Sequence, residues 1–71
     1  MKFQKYKFYI HRNMLDTVIN ILDAQEEDEG IKARIQWFTK SGLMLDGNER
    51  VLLKTEEFDN WSEFKYPKEK E

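Results

Sequence analysis

The chain of 71 residues has no cysteine, one proline, three glycines and one histidine. Without cysteine, neither a disulfide nor a thiolate zinc site can brace the fold, and a reducing compartment suits such a chain. The glycines stand apart at Gly30, Gly42 and Gly47, which excludes a glycine-rich loop that cradles phosphate. No apolar run approaches the roughly 18 residues of a membrane span, and no long hydrophobic stretch follows the lysine-bearing start as it would in a signal peptide. These absences predict a cytoplasmic protein with no membrane partner.

Catalytic equipment is equally sparse. A nucleophile needs an activating base, and the chain offers only Ser41 and Ser62 beside a single histidine, His11, which is distant from both in sequence. Paired carboxylates doing acid–base work need a cleft that raises one pKa, and a chain this short seldom builds one. The expectation is a protein that is not an enzyme, with no catalytic residues, no metal and no cofactor.

What the chain does have is aromatic bulk. Phe3, Tyr6, Phe8, Tyr9, Trp37, Phe38, Phe58, Trp61, Phe64 and Tyr66 are large apolar bodies for so small a domain, and they make a compact core credible. Length allows one domain, expected over residues 1–66, followed by a polar tail over 67–71 that begins at Pro67. Below about 70–80 residues a single core rarely supplies more than about 3–5 kcal/mol, so partner binding or a homodimer is a natural reinforcement.

Periodicity gives the elements. In "KFQKYKFYIHR" the alternation predicts a strand with Tyr6, Phe8 and Ile10 on one side and Lys5, Lys7, Tyr9 and His11 on the other. In "NMLDTVINILDAQ", Leu15, Val18, Ile19 and Leu22 follow the i, i+3, i+4, i+7 spacing of a helix. Asn13 is placed to cap that helix and Asp16 to support the cap. The β-branched residues of "TVINIL" pull toward a strand, so residues 14–24 have two readings, of which helix fits the spacing better. "IKARIQWFTK" alternates cleanly, with Ile31, Ala33, Ile35 and Trp37 inward. "SGLMLDGNERVLLK" predicts a hairpin turning at Asp46–Gly47, with Leu43, Leu45, Val51 and Leu53 on the core face. Phe58, Trp61 and Phe64, after a Thr55 cap, suit a short aromatic-rich element that seals the core. The predicted fold is α+β: an antiparallel sheet of about four strands in β-α-β-β-β order, one helix on one face, and the short C-terminal element.

Charge alternates by segment: residues 1–12 carry +4, 13–29 carry −6, 30–54 carry +3 and 55–71 carry −3, for a net −2. The most acidic run is Glu26, Glu27, Asp28 and Glu29, directly before Gly30. A calcium loop starting at Asp23 would use Asp23, Gln25 and Glu27, but it would need glycine where Asp28 stands and glutamate where Arg34 stands. That excludes it. If a helix ends near Ala24 or Gln25, the four acids form a solvated turn, with Gly30 free to take a left-handed cap conformation.

Two binding readings follow. In the leading one, Glu26, Glu27, Asp28 and Glu29 join Glu56, Glu57 and Asp59 as an anionic patch, with Phe58 and Trp61 as apolar anchors. Such a surface mimics the charge of DNA. The chain would then be a small inhibitor or adaptor of phage or mobile-element type, docking on a basic groove of a host protein and blocking it by occupancy. In the alternative, Lys5, Lys7, Tyr9, Lys32, Arg34, Phe38, Arg50 and Lys54 form a basic-aromatic sheet face that binds single-stranded RNA or DNA. The stretch "GIKARIQWFTKSGLMLDGNERVLLK" resembles the S1-type oligonucleotide-binding barrel in its order of glycine, alternating strand, aromatic, glycine and apolar strand. The resemblance carries no site residue with it. The plainer reading of both surfaces is a solvated face that also guards edge strands.

Overall fold

The computed structural model describes residues 3–66, so the tail expected over 67–71 lies outside the described residues. The broad expectation holds: a small α+β domain in which a short helix packs on a multi-stranded antiparallel sheet. The strands are β1 (Phe8–His11), β2 (Thr17–Glu27), β3 (Gly30–Thr39), β4 (Met44–Lys54) and β5 (Trp61–Phe64). A six-residue 3-10 helix, η1 (Thr55–Asn60), links β4 to β5. The sheet order is β4-β3-β2-β1-β5. Four strands therefore follow one another as a meander, and η1 carries the chain back so that β5 pairs with β1.

The largest correction concerns the predicted helix. Residues 17–27 are strand, and Asn13 caps nothing helical. Val18 and Ile19 are both fully buried although they point to opposite faces, because β2 lies inside the sheet with both faces covered. A strand buried on both sides reads as a continuous apolar run, and here that run also matched helical spacing. The β-branched content of "TVINI" marks the true state. A bulge at Leu22 then shifts the register, so that Ile21 faces Ile35 while Asp23 faces Arg34.

One face of the sheet carries the main core: Tyr9 from β1, Ile19 and Ile21 from β2, Ile31, Ala33 and Ile35 from β3, and Leu53 from β4, with Phe3 closing it. Each fully buried isoleucine contributes about 1.5–3 kcal/mol by leaving water. The inward set expected for β3 is observed, with Trp37 half-buried against the cluster. In β1, Tyr9, expected on the basic face, is buried in the main core at 2% exposure, whereas Tyr6 lies before the strand at 67% exposure and a left-handed φ of 69°. Phe3 drives this choice, since its ring meets Tyr9, Phe58 and Trp61 edge-on at 4.7, 5.5 and 6.0 Å. Phe58 and Trp61 thus help seal the main core as expected.

The opposite face holds a second aromatic group. Phe8 packs edge-on against Phe38 at 5.1 Å and Tyr66 at 4.9 Å, and Phe64 meets Tyr66 at 4.8 Å. The Tyr66 hydroxyl donates to the Thr39 carbonyl, fastening the segment after β5 to the end of β3. Phe64 therefore seals this second face rather than the main core.

The hairpin between β3 and β4 also differs. The chain turns at residues 40–43, where the Thr39 N–H meets the Leu43 carbonyl at 2.8 Å, and Asp46–Gly47 lies within β4. Register runs from Phe38 opposite Met44 to Gln36 opposite Asn48, so residues 45–47 of β4 span the step that β3 makes with Trp37 alone. This bulge places Gly47 at φ 75°, which explains why a turn-type dipeptide sits inside a strand. Leu43 and Leu45, expected in the core, are 68% and 39% exposed.

Candidate functional site: an acidic end and a basic face

The acidic run is built into a hairpin. Glu26 pairs with Ile31 and Glu27 with Gly30, leaving Asp28 and Glu29 as the turn between β2 and β3. The acids therefore do not burden the negative end of a helix, and Gly30 is not a helix cap. Gly30 is required for another reason. Its φ is 154°, and a Cβ there would overlap the Leu53 carbonyl and the Lys54 Cα. The backbone of β4 thus runs tight against the base of the acidic turn, with Lys54 in register with Gly30.

That close approach brings the second acidic segment alongside. Thr55, the first residue of η1, donates its N–H to the Glu29 carbonyl at 3.1 Å and its hydroxyl to the same oxygen at 3.3 Å. An open groove is consequently lined by Asp28, Glu29, Lys54, Thr55 and Glu56, and a second by Glu26, Glu27, Asp28, Glu29, Lys32, Leu52 and Gln25. Among the described residues, no cationic side chain lies within salt-bridge distance of Glu26, Glu27, Asp28, Glu29 or Glu56. Their charge is directed at solvent.

Glu57 does different work. Its Oε1 receives Nε2 of His11 at 2.9 Å and Nδ2 of Asn60 at 2.9 Å. The Asn13 N–H donates to His11 Nδ1 at 3.1 Å, which leaves the ring proton on Nε2 to donate to Glu57. The hydrogen bond from His11, then that from Asn60, holds the Glu57 carboxyl below the ordinary glutamate range. Glu57 therefore ties β1 to η1. Phe58 and Trp61 are likewise directed at Phe3 and the core, and Asp59 is exposed on η1. Of the predicted partner-binding set, Glu26, Glu27, Asp28, Glu29 and Glu56 come together, whereas Glu57 is hydrogen-bonded to His11 and Asn60, Phe58 and Trp61 are packed against the core, and Asp59 stands apart on η1.

The basic set also contracts. Tyr9 is buried on the other face and Phe38 is held in the second aromatic cluster. Lys7 pairs with Glu63 at 3.6 Å, and Lys5 lies over the Tyr6 ring at 5.2 Å. What remains is Lys32 and Arg34 on β3 with Arg50 and Lys54 on β4, all exposed, with Arg34 directly opposite Arg50 and Lys54 at the groove beside Asp28, Glu29 and Glu56. Asp23 sits across from Arg34 on the β2 side, yet no carboxylate among the described residues is within salt-bridge distance of either arginine.

Thr55 and Gln36 carry roles that the sequence did not advertise. Gln36, 8% exposed, donates from Nε2 to the Leu45 carbonyl, an oxygen displaced from the ladder by the bulge. Both depend on strand register, for which no local pattern codes.

Among the described residues no group of three or more histidine, aspartate or glutamate side chains could hold a metal ion. No described helix is long and apolar enough to cross a membrane. No protein-family model matches the chain, and comparison with curated proteins and with solved structures returns no match.

Proposed function

We propose that this chain is a small non-enzymatic protein-binding module, an inhibitor or adaptor of phage or mobile-element type. It docks an acidic end on a basic groove of a host protein and blocks that groove by occupancy. The observation that carries this reading is the double donation from Thr55 to Glu29, which sets the start of η1 against the β2–β3 turn. Five carboxylates, those of Glu26, Glu27, Asp28, Glu29 and Glu56, then share one end without a cationic neighbour at salt-bridge distance. Five carboxylates against the two lysines, Lys32 and Lys54, that line the same grooves leave a net negative end, which speeds encounter with an oppositely charged partner and repels acidic competitors. A groove built to bind nucleic acid is a natural target, since it is already arranged to receive closely spaced anions.

A second reading rests on Arg34 opposite Arg50 with Lys32 and Lys54 farther along the same strands: a basic strip without ion pairs among the described residues, able to follow the phosphates of a single strand. Its weakness is that Tyr9 and Phe38, the rings meant for base stacking, are committed to packing.

Affinity capture from host lysate, with and without nuclease, separates the two. The leading reading expects a protein retained through nuclease treatment and lost when Glu26, Glu27, Asp28 and Glu29 are changed together to Gln and Asn. The second expects nuclease-sensitive retention, lost when Lys32, Arg34 and Arg50 become alanine. Retention insensitive to both sets of changes contradicts both.

A further inference from the structure

The bulge in β2 leaves an electrostatic debt on its neighbour. Register passes from Ile21 opposite Ile35 to Asp23 opposite Arg34, so Leu22 and Asp23 together answer one residue of β3. An acid across from Arg34 would ordinarily neutralise it. Here the acid is turned elsewhere. Asp23 Oδ1 accepts the N–H of Ala24 at 3.0 Å, and no carboxylate among the described residues lies within salt-bridge distance of Arg34. On its other side Arg34 faces Arg50, which is equally without an ion pair among the described residues. Directly opposed like charges destabilise a sheet, and the bulge withholds the group in register to relieve them.

These side chains border one hollow of about 50 Å³, whose charged lining is Lys32, Arg34, Arg50 and Asp23, with Gln25 beside them. Three cations against one carboxylate leave it at +2. Lys32 and Arg34 alternate with the buried Ile31, Ala33 and Ile35, so both stand on the face of β3 away from the main core. Pockets for drug-sized ligands begin at roughly 300 Å³. The space here suits one small oxyanion and excludes a nucleoside.

We propose that Arg34 and Arg50, with Lys32, form a binding site for one dianionic phosphate group, that of inorganic phosphate or of a phosphomonoester. Guanidinium forks pair bidentately with phosphate oxygens, and two of them side by side on adjacent strands can hold one tetrahedral group between them. Lys32 adds a point charge one pleat along β3. A phosphomonoester carries a charge of about −1.5 to −2 at neutral pH and offers three free oxygens. A diester carries a single charge and is bulkier, so the monoester is the better match to the charge and size of the hollow. Phosphate seated there supplies the anion that Asp23 does not. The site is independent of the acidic end, and it differs from the strand-following reading in selecting a terminal phosphate over a chain of diesters.

The test is an NMR titration of the full, isotopically labelled chain with inorganic phosphate, phenyl phosphate and dimethyl phosphate, sodium chloride holding ionic strength constant. The first two are expected to give saturable amide shifts centred on Lys32, Arg34 and Arg50, and dimethyl phosphate should bind about tenfold more weakly or worse. Arg34→Gln and Arg50→Gln should each weaken phosphate binding by about tenfold or more, and Arg34→Lys, which keeps the charge but loses the fork, should weaken it as well. Asp23→Asn keeps an acceptor for the Ala24 N–H and removes the one carboxylate among the described lining residues, so it should tighten binding. The spectrum of each variant reports its folding, so loss of binding is read from a folded chain. Absence of a saturable shift at millimolar phosphate overturns the proposal. So do equal affinity for dimethyl phosphate, shifts spread evenly over Lys5, Lys40 and Lys65, binding indifferent to both glutamine variants, and weaker binding by Asp23→Asn.

Discussion

Gln36 donates from its side-chain amide to the Leu45 carbonyl across the step where three residues of β4 answer Trp37 alone. A buried amide here takes the place of a missing ladder hydrogen bond. It keeps the bulged part of β4 attached to β3, and with it the only wide departure from regular pairing between these two strands. Changing Gln36 to Ala leaves that carbonyl without its partner and should cost about 1–3 kcal/mol in urea unfolding. An unchanged midpoint would mean that water serves the bulge as well as Gln36 does.

Gly30 carries the geometry of the acidic end. With φ at 154° and the Leu53 carbonyl where a Cβ would sit, Gly30→Ala must push β4 away from the turn. The expected loss is about 2–5 kcal/mol, combining backbone strain with overpacking. Gly42→Ala is the informative control, since its φ of 104° is also unfavourable but nothing lies within 4 Å of the added carbon. The Gly30 variant should be the more damaging of the two, and the reverse order would refute the close-approach argument.

Phe3 lies outside the strands yet closes the main core through three edge-on ring contacts. Truncating it to alanine should cost about 3 kcal/mol and loosen η1, because Phe58 loses its ring partner. Hydrogen exchange at residues 55–60 would report the loosening. Protection of η1 as strong as in the wild type would show that Phe58 is held by other contacts.

The His11–Glu57 hydrogen bond links stability to acid. Glu57 binds its proton less readily in the folded chain than in the unfolded one, so its contribution is fully present above the ordinary glutamate pKa. That contribution is lost as pH falls through the lowered folded value. Stability measured from pH 7 downward should therefore decline more steeply in the wild type than in Glu57→Gln. Parallel curves would mean that the pair contributes nothing to the acid slope.

How much of this was legible in advance differs from strand to strand. The alternation of Ile31, Ala33, Ile35 and Trp37 identified β3 and its inward face because only one of its faces is strongly apolar. β2 defeated the same logic: Val18 and Ile19 are buried on opposite faces, and the bulge at Leu22 breaks the period. In β1, the choice between Tyr9 and Tyr6 was made by Phe3 and by rings from η1 and β5, contacts that no local pattern contains. At the site, the run from Glu26 to Glu29 was plain in the sequence. Its union with Glu56 was not, since it depends on register placing Lys54 opposite Gly30.

The acidic end gathers Glu26, Glu27, Asp28, Glu29 and Glu56 around two grooves whose only cationic lining residues, among the described residues, are Lys32 and Lys54. Neutralising Glu29 and Glu56 to Gln should raise the melting temperature at low salt, with the gain fading at high salt as screening removes the repulsion. Binding to a cationic partner should weaken at the same time. A fall in stability would show that these carboxylates make favourable contacts.

Titration of an isotopically labelled chain with an arginine-rich peptide, with the backbone amides followed by NMR, maps where a cationic partner docks. Docking at the acidic end should shift the amides of Glu26 to Gly30, Thr55 and Glu56, and neutralising those acids should abolish the shifts. Shifts scattered over every exposed carboxylate, Asp16 and Glu63 included, or no shifts at all, would contradict it.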